Sequence, residues 1–247
     1  MESVFGRFVE KSSRRISGVL LSETAMPLAA PVIVQQFIFY SKMKKFLAML
    51  MLCAFASMTA GAQEVKQLPQ PDLTLNVTLM DALKNRKTDR EFSDKAISEQ
   101  QLSQILWATC GINRPEKGLL TIPTAMNAQD VKAYVCTAKG VSLYDAKANT
   151  LTSVSKTDIR PMLAEGQNAM AKAPVFILLV SDQTKLRHNG QIYGAMDAGY
   201  ASQDICLICA ALGLKTVPRA MMNKEKVSKE LGFPETMVLE LNHPIGY

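Results

Sequence analysis

Pro174-Val-Phe-Ile-Leu-Leu-Val-Ser181 is an unbroken apolar run of strand length. It has no polar face to give to water, so it must be covered on both sides, as a central strand is. Downstream, Ala195–Leu212 reads as a long apolar helix stopped by Gly213. A short strand at Lys215–Val217, a helix over Lys224–Leu231 closed by Gly232 and a last strand at Met237–Leu241 follow. Upstream, Val131–Thr137, Gly140–Tyr144 and Leu151–Val154 have strand-like periodicity, with turns at Lys139-Gly140 and around Asn149. Asp158–Lys172 reads as helical after Pro161, and Ile112–Ala128, with Pro115, Gly118 and Pro123, reads as loop. Ser98-Glu99-Gln100-Gln101 is a capping box opening a helix with Leu102, Ile105, Leu106 and Trp107 inward, ending at Gly111. Thr78 with Asp81 caps an earlier short helix that carries Leu79, Met80 and Leu83. This order predicts an α+β fold, one mixed central sheet flanked by helices.

The N-terminal quarter belongs to a different class. Met43-Lys44-Lys45, the apolar stretch Phe46–Phe55 and the small residues Ala60-Gly61-Ala62 form the three parts of a secretory signal peptide over 43–62. The apolar stretch is too short to span a bilayer, which takes about 20 residues. Met43 then reads as the natural start, and 1–42 as an over-extended reading frame. Residues 63–77, with Pro69 and Pro71, read as an extended arm, and 78–247 as one domain. The expected location is export, to the periplasm of a bacterium, without stable membrane insertion after cleavage. Residues 1–62 carry seven Lys/Arg and three Asp/Glu, so most of the chain's +6 lies there. The remaining part is close to neutral, and its charge gives no reason to expect nucleic acid as a partner.

The densest donor cluster lies in Leu83-Lys-Asn-Arg-Lys-Thr-Asp-Arg-Glu-Phe92. Arg86, Lys87, Thr88 and Arg90 fall within five residues. Guanidinium forks and a short hydroxyl suit phosphate oxygens. A solvated basic helix end is the plain alternative. Three further stretches accompany the cluster: Pro123-Thr124-Ala125-Met126-Asn127, Asp197-Ala-Gly199 leading into the long helix, and Val217-Pro218-Arg219-Ala220 after it. In this order and spacing the four stretches resemble the FMN-dependent nitroreductase family, over about Leu79–Gly246. Leu102–Arg114 is also similar to the branch that contains the azoline-oxidising enzymes.

The resemblance implies an FMN-dependent oxidoreductase, usually an intertwined homodimer with cofactor sites at the interface. Arg86, Lys87, Thr88 and Arg90 match the family's grip on the FMN phosphate and ribityl chain. Pro123, Thr124 and Ala125 match a segment reaching the flavin from the partner subunit, with Asn127 completing that motif. Asp197 stands where the family often has a polar side chain against the flavin. Pro218, Arg219 and Ala220 match the segment along the isoalloxazine, with Arg219 a possible cation at the flavin edge. Hydride or electrons would pass through flavin N5 from a donor such as NAD(P)H to a small organic acceptor. No Gly-rich dinucleotide fingerprint follows a strand, so NAD(P)H would bind transiently. No catalytic acid or base is identifiable.

Two other readings stand beside this one. A flavin-free binding protein could retain the fold. Cys206-x-x-Cys209 could serve thiol redox chemistry, although core packing is the stronger account of cysteines inside an apolar helix with no preceding strand-turn. His188 and His243 have no neighbours at zinc-ligand spacing, so no metal site is expected.

Overall fold

The structure, a computed structural model, describes Met43 and residues 63–247. The expected leader and over-extended N-terminus lie outside the described residues, Met43 excepted. The elements are β1 (Val65–Gln67), α1 (Leu79–Asn85), α2 (Glu99–Cys110), β2 (Ile112–Arg114), β3 (Leu119–Leu120), β4 (Val131–Thr137), β5 (Gly140–Asp145), β6 (Thr150–Ser155), α3 (Arg160–Ala164), β7 (Val175–Asp182), α4 (Gly190–Ala211), β8 (Lys215–Thr216), α5 (Lys224–Leu231) and β9 (Met237–Gly246).

Seven strands form one sheet in the order β1-β6-β5-β4-β7-β9-β8. Every pairing in it is antiparallel, where the sequence pattern suggested a mixed sheet. The α+β class holds, and the difference has a simple cause: β4, β5 and β6 are joined by tight turns, and β9 returns against β7. The strand β7 lies near the middle, and its side chains alternate between two cores. Ile177 and Leu179 pack with Leu106 and Ile205, while Phe176, Leu178 and Val180 pack with Leu163 and Val227. All five of these β7 side chains are fully buried. The apolar run is therefore continuous because both faces of the strand are interior.

Local signals explain most element ends. Ser98 accepts from the Gln101 N–H while the Gln101 side chain accepts from the Ser98 N–H, so the capping box is complete. Thr78 caps α1 by accepting from the Asp81 N–H, and Gly232 ends α5 in the left-handed region. Other boundaries differ from the pattern. The expected helix over 158–172 is only α3, then a break with Gly166 at φ +69°, then a 3-10 turn at Asn168–Lys172. The presumed loop 112–128 contains the β2–β3 hairpin. The strand β9 runs on to Gly246, because Asn242, His243, Pro244 and Ile245 all pair with β7. The arm is held at the sheet edge, with β1 on β6 and Leu68 buried.

Helix α4 crosses β7 at Gly194. A Cβ there would lie 2.3 Å from Ser181 Oγ and 2.8 Å from Ser181 Cβ, so only glycine permits this approach. Gly194→Ala should lower stability by about 1–3 kcal/mol, the usual cost of overpacking. Urea unfolding checks this; an unchanged midpoint would mean that α4 can lift from the sheet at no cost.

Candidate functional site

The Arg86–Arg90 turn is built by the end of α1. Arg86 is the C-cap, its N–H bonded to the Ala82 carbonyl, and the chain leaves in extended geometry. Asp89 N–H then donates to Thr216 O (3.1 Å) and Ser93 N–H to Tyr247 O (2.8 Å), so the run is tied to β8 and to the end of β9. Phe92 is buried and anchors it. Arg86 is half-buried, while Lys87, Thr88 and Arg90 are exposed. Lys87 Nζ stands 3.6 Å from Asp89. Neither guanidinium hydrogen-bonds or ion-pairs with another described residue. The turn thus offers two unspent guanidiniums and no acceptor of its own beyond the Thr88 hydroxyl and Asp89.

The tie to Thr216 sets this turn beside the next segment, Val217–Ala220. Arg219 and Asn242 exchange backbone hydrogen bonds (2.9 and 2.7 Å). The Arg219 side chain corrects the expectation of a cation at the flavin edge. It is 7% exposed, and its guanidinium donates to the carbonyls of Leu163 (2.6 Å) and Ala164 (2.9 Å) and to Asn242 Oδ1 (3.2 Å). Those carbonyls end helix α3; Ala164 O also accepts from the Gln167 N–H (3.2 Å), whereas Leu163 O has no other partner among the described residues, and the cation meets the negative end of the helix dipole. Ala220 differs: it is exposed, and its N–H has no partner among the described residues.

The third expected segment lies elsewhere. Ala125 N–H donates to Asp197 Oδ2 (2.7 Å), and Gln129 N–H to Thr124 Oγ1 (3.0 Å). Met126, Asn127 and Gln129 all have φ near +50°, a conformation that costs non-glycine residues energy and is held here by those bonds. Pro123 and Asn127 are exposed, and Asn127 Oδ1 is 3.4 Å from the Gln129 amide. Asp197 is 2% exposed, so in this chain its carboxylate braces the loop and does not face outward. Burial pushes it up to about 6, opposed by the Ala125 N–H and helped by the neighbouring Asp130. Asp130 is itself buried and accepts from the Ser181 hydroxyl (2.7 Å).

Helix α4 measures the separation between these groups. Arg86 acts on the Cys206 thiol, whereas Asp197 holds the loop nine residues earlier, about 13 Å along the axis. The structure therefore brings Arg86–Arg90 together with Thr216–Ala220, and Ala125 with Asp197, but keeps the two groups apart within one chain.

A buried polar network under β8 and β9 was not legible in the sequence. His243 is fully buried, with Nε2 2.9 Å from Ser202 Oγ and Nδ1 3.4 Å from Thr216 Oγ1. Burial holds its imidazole down at about 3. Asn242 donates to the Arg219 and Met221 carbonyls. Cys206 and Cys209 are buried, unbridged, and both pushed up by burial. A nucleophilic thiol needs the opposite shift, so the thiol redox reading loses its physical basis.

The family model described as Nitroreductase family matches residues 83–247. A nitroreductase-like protein of Methanocaldococcus jannaschii is 24% identical over 196 residues, covering 74% of this chain and 97% of its own. The crystal structure of a nitroreductase-like protein from Ralstonia eutropha superposes with a TM-score of 0.70 at 28% identity, over 76% of this chain and 91% of that one. A chain of the Escherichia coli microcin synthetase McbBCD complex with truncated pro-MccB17 shares the fold, with a TM-score of 0.58 at 16% identity over 100% of this chain and 94% of that one.

Arg219→Met should destabilise the protein by about 1–3 kcal/mol, because it leaves the Leu163 carbonyl unpaired. Thermal unfolding reads this directly. The two buried titrating groups give opposite pH dependences. His243 binds its proton more weakly folded (about 3) than unfolded (6.5), so the stability it contributes is whole above pH 6.5 and is lost as pH falls toward 3. Asp197 binds its proton more tightly folded (about 6) than unfolded (3.8), so its contribution is whole below 3.8 and is lost as pH rises through 6. Denaturant titrations across pH should show a shallower acid-side loss in His243→Gln and removal of the pH 4–6 loss in Asp197→Asn. Profiles parallel to the parent would contradict both assignments.

Proposed function

The chain belongs to the nitroreductase family of FMN-dependent oxidoreductases, and on that premise we propose that Arg86, Lys87, Thr88 and Arg90 hold the FMN phosphate. The observation that carries this reading is the pair of unspent guanidiniums in a turn tied to β8. Two cations with free planar forks, an ammonium and a hydroxyl match a phosphate dianion, and the residues present fit the group. Val217–Ala220 follows β8 directly, so the unpaired Ala220 N–H is a donor for the ring system of the same ligand. Pro218, also exposed, would lie along it.

Bound FMN supplies hydride and electron transfer at its N5 position, and the protein supplies binding, orientation and electrostatics. Arg86 and Arg90 neutralise the phosphate. Arg219 contributes from behind: its guanidinium locks the Val217–Ala220 segment against α3 and β9 and fixes where the Ala220 N–H points. NAD(P)H as transient donor and a small organic acceptor complete the reading, with another reduced carrier equally suited to an exported protein.

The same reading takes the protein to act as a homodimer. The Pro123–Asn127 loop and the Arg86–Arg90 turn stand apart on α4, so a second copy is the natural way to bring one to the other. Helix α4 carries an exposed apolar stripe, Ile192, Met196 and Tyr200, and Met126 at the loop tip is exposed too. The 43–62 signal sequence supports export.

The purified protein should be yellow or become so with added FMN, and Arg86→Ala or Arg90→Ala should weaken FMN by more than about 1.5 kcal/mol, the lower range for a charge-assisted hydrogen bond. Fluorescence titration of FMN measures it. Protein that stays colourless, or unchanged affinity in both variants, would sink the proposal.

A further inference from the structure

The strand β8 holds only two residues and lies at the edge of the sheet, with Lys215 opposite Gly246 and Thr216 opposite Ile245 of β9. The Arg86–Arg90 turn hangs on this strand, since the Asp89 N–H donates to the Thr216 carbonyl (3.1 Å). A ladder this short gives little hold by itself. Thr216 is nevertheless buried, and its side chain is gripped from inside the fold.

The Thr216 hydroxyl has one proton to give, and gives it to the Pro244 carbonyl (2.9 Å). Its oxygen can therefore only accept from His243 Nδ1, at a longer 3.4 Å. That pattern assigns the imidazole proton to Nδ1. Nε2 is left bare and accepts from the Ser202 hydroxyl (2.9 Å), which has no other partner among the described residues. The donors thus run one way from α4 through β9 to β8: Ser202 to His243, His243 to Thr216, Thr216 to Pro244. All three side chains are buried, and burial keeps the ring neutral. Their donors are spent on one another, so the work of the chain is to hold β8. It also begins near the turn: Ser202 stands one helical turn before Cys206, whose thiol feels the charge of Arg86.

We propose that Thr216 is the positioning residue of the Arg86–Arg90 turn: its hydroxyl, clamped between Pro244 and His243, fixes the carbonyl that receives the Asp89 N–H. In the chain Asp89 lies between Arg86 and Arg90, so this one bond sets where both guanidiniums start. Given the phosphate reading of that turn, on which this consequence rests, a turn held in advance costs less to order when the ligand binds. FMN affinity then depends on a buried residue whose own hydroxyl proton is already committed.

Two measurements on the full-length protein test this: hydrogen exchange of the Asp89 amide without FMN, and FMN affinity by fluorescence titration. Thr216→Val keeps the shape and removes the hydroxyl; it should speed Asp89 exchange and weaken FMN, each by about tenfold, the size of one lost hydrogen bond. Thr216→Ser keeps the hydroxyl and should leave both at parental values. Ser202→Ala removes a buried hydrogen bond from the same chain but spares the one from Thr216 to Pro244, so it should lower the thermal midpoint and move neither readout. Thr216→Ala takes the place of the valine variant if that one does not fold. Unchanged Asp89 exchange without the hydroxyl overturns the proposal, and so does an equal rise in Ser202→Ala, which would mean general loosening. FMN affinity that holds in Thr216→Val while Arg86→Ala weakens it overturns the proposal too. If Arg86→Ala and Arg90→Ala both leave FMN affinity unchanged, the phosphate reading falls, and Asp89 exchange alone decides whether Thr216 positions the turn.

Discussion

The strand β7 has no side that can face water, and the rest of the fold is arranged to satisfy that constraint. Its odd and even side chains enter different cores, so the sheet needs α2 and α4 on one face and α3 and α5 on the other. Neighbours β4 and β9 saturate its backbone on both edges, leaving no unpaired strand edge at the centre. The sandwich is tight enough that α4 must present glycine where it crosses Ser181. The long helix is therefore placed by the sheet with little freedom, and the functional segments inherit that placement.

Charge is handled in two contrasting ways around this frame. Arg219 is buried, yet no acid pairs with it; backbone carbonyls at the end of α3 and the Asn242 amide take its protons. Such a cation is structural, because removing it from its partners would cost more than any ligand contact nearby returns. The guanidiniums of Arg86 and Arg90 have no hydrogen-bond or ion-pair partner among the described residues. The contrast separates an arginine whose guanidinium is committed inside the fold from arginines whose donors are uncommitted among the described residues, although all three stand in family-like motifs.

Legibility followed the range of the interactions involved. Thr78, Ser98 and Gly232 act within a few residues of themselves, and their caps are present as read. Pro174–Ser181 was legible because burial on both faces writes itself as hydrophobicity. The grouping of cationic donors at Arg86–Arg90 was legible because those residues are nearly consecutive. What escaped was non-local. Asn242-His243-Pro244 lies beyond the expected last strand Met237–Leu241, and becomes strand only because Arg219, Ser202, Thr216 and β7 receive it. The break at Glu165–Gly166 splits an apparently helical pattern whose C-terminal carbonyls are finished by Arg219, a residue more than fifty positions away. Asp197 read as facing a ligand, and its burial depends on Ala125, seventy-two positions earlier.

Helix α4 is a rod of 22 residues, about 33 Å from end to end. Its Asp197 grips a loop in which three non-glycine residues stand in the left-handed region, and two and a half turns further on its Cys206 thiol lies within the electrostatic reach of Arg86. A rod of this length transmits displacement with little bending. Rotation or sliding of α4 at Asp197 must therefore also displace Cys206.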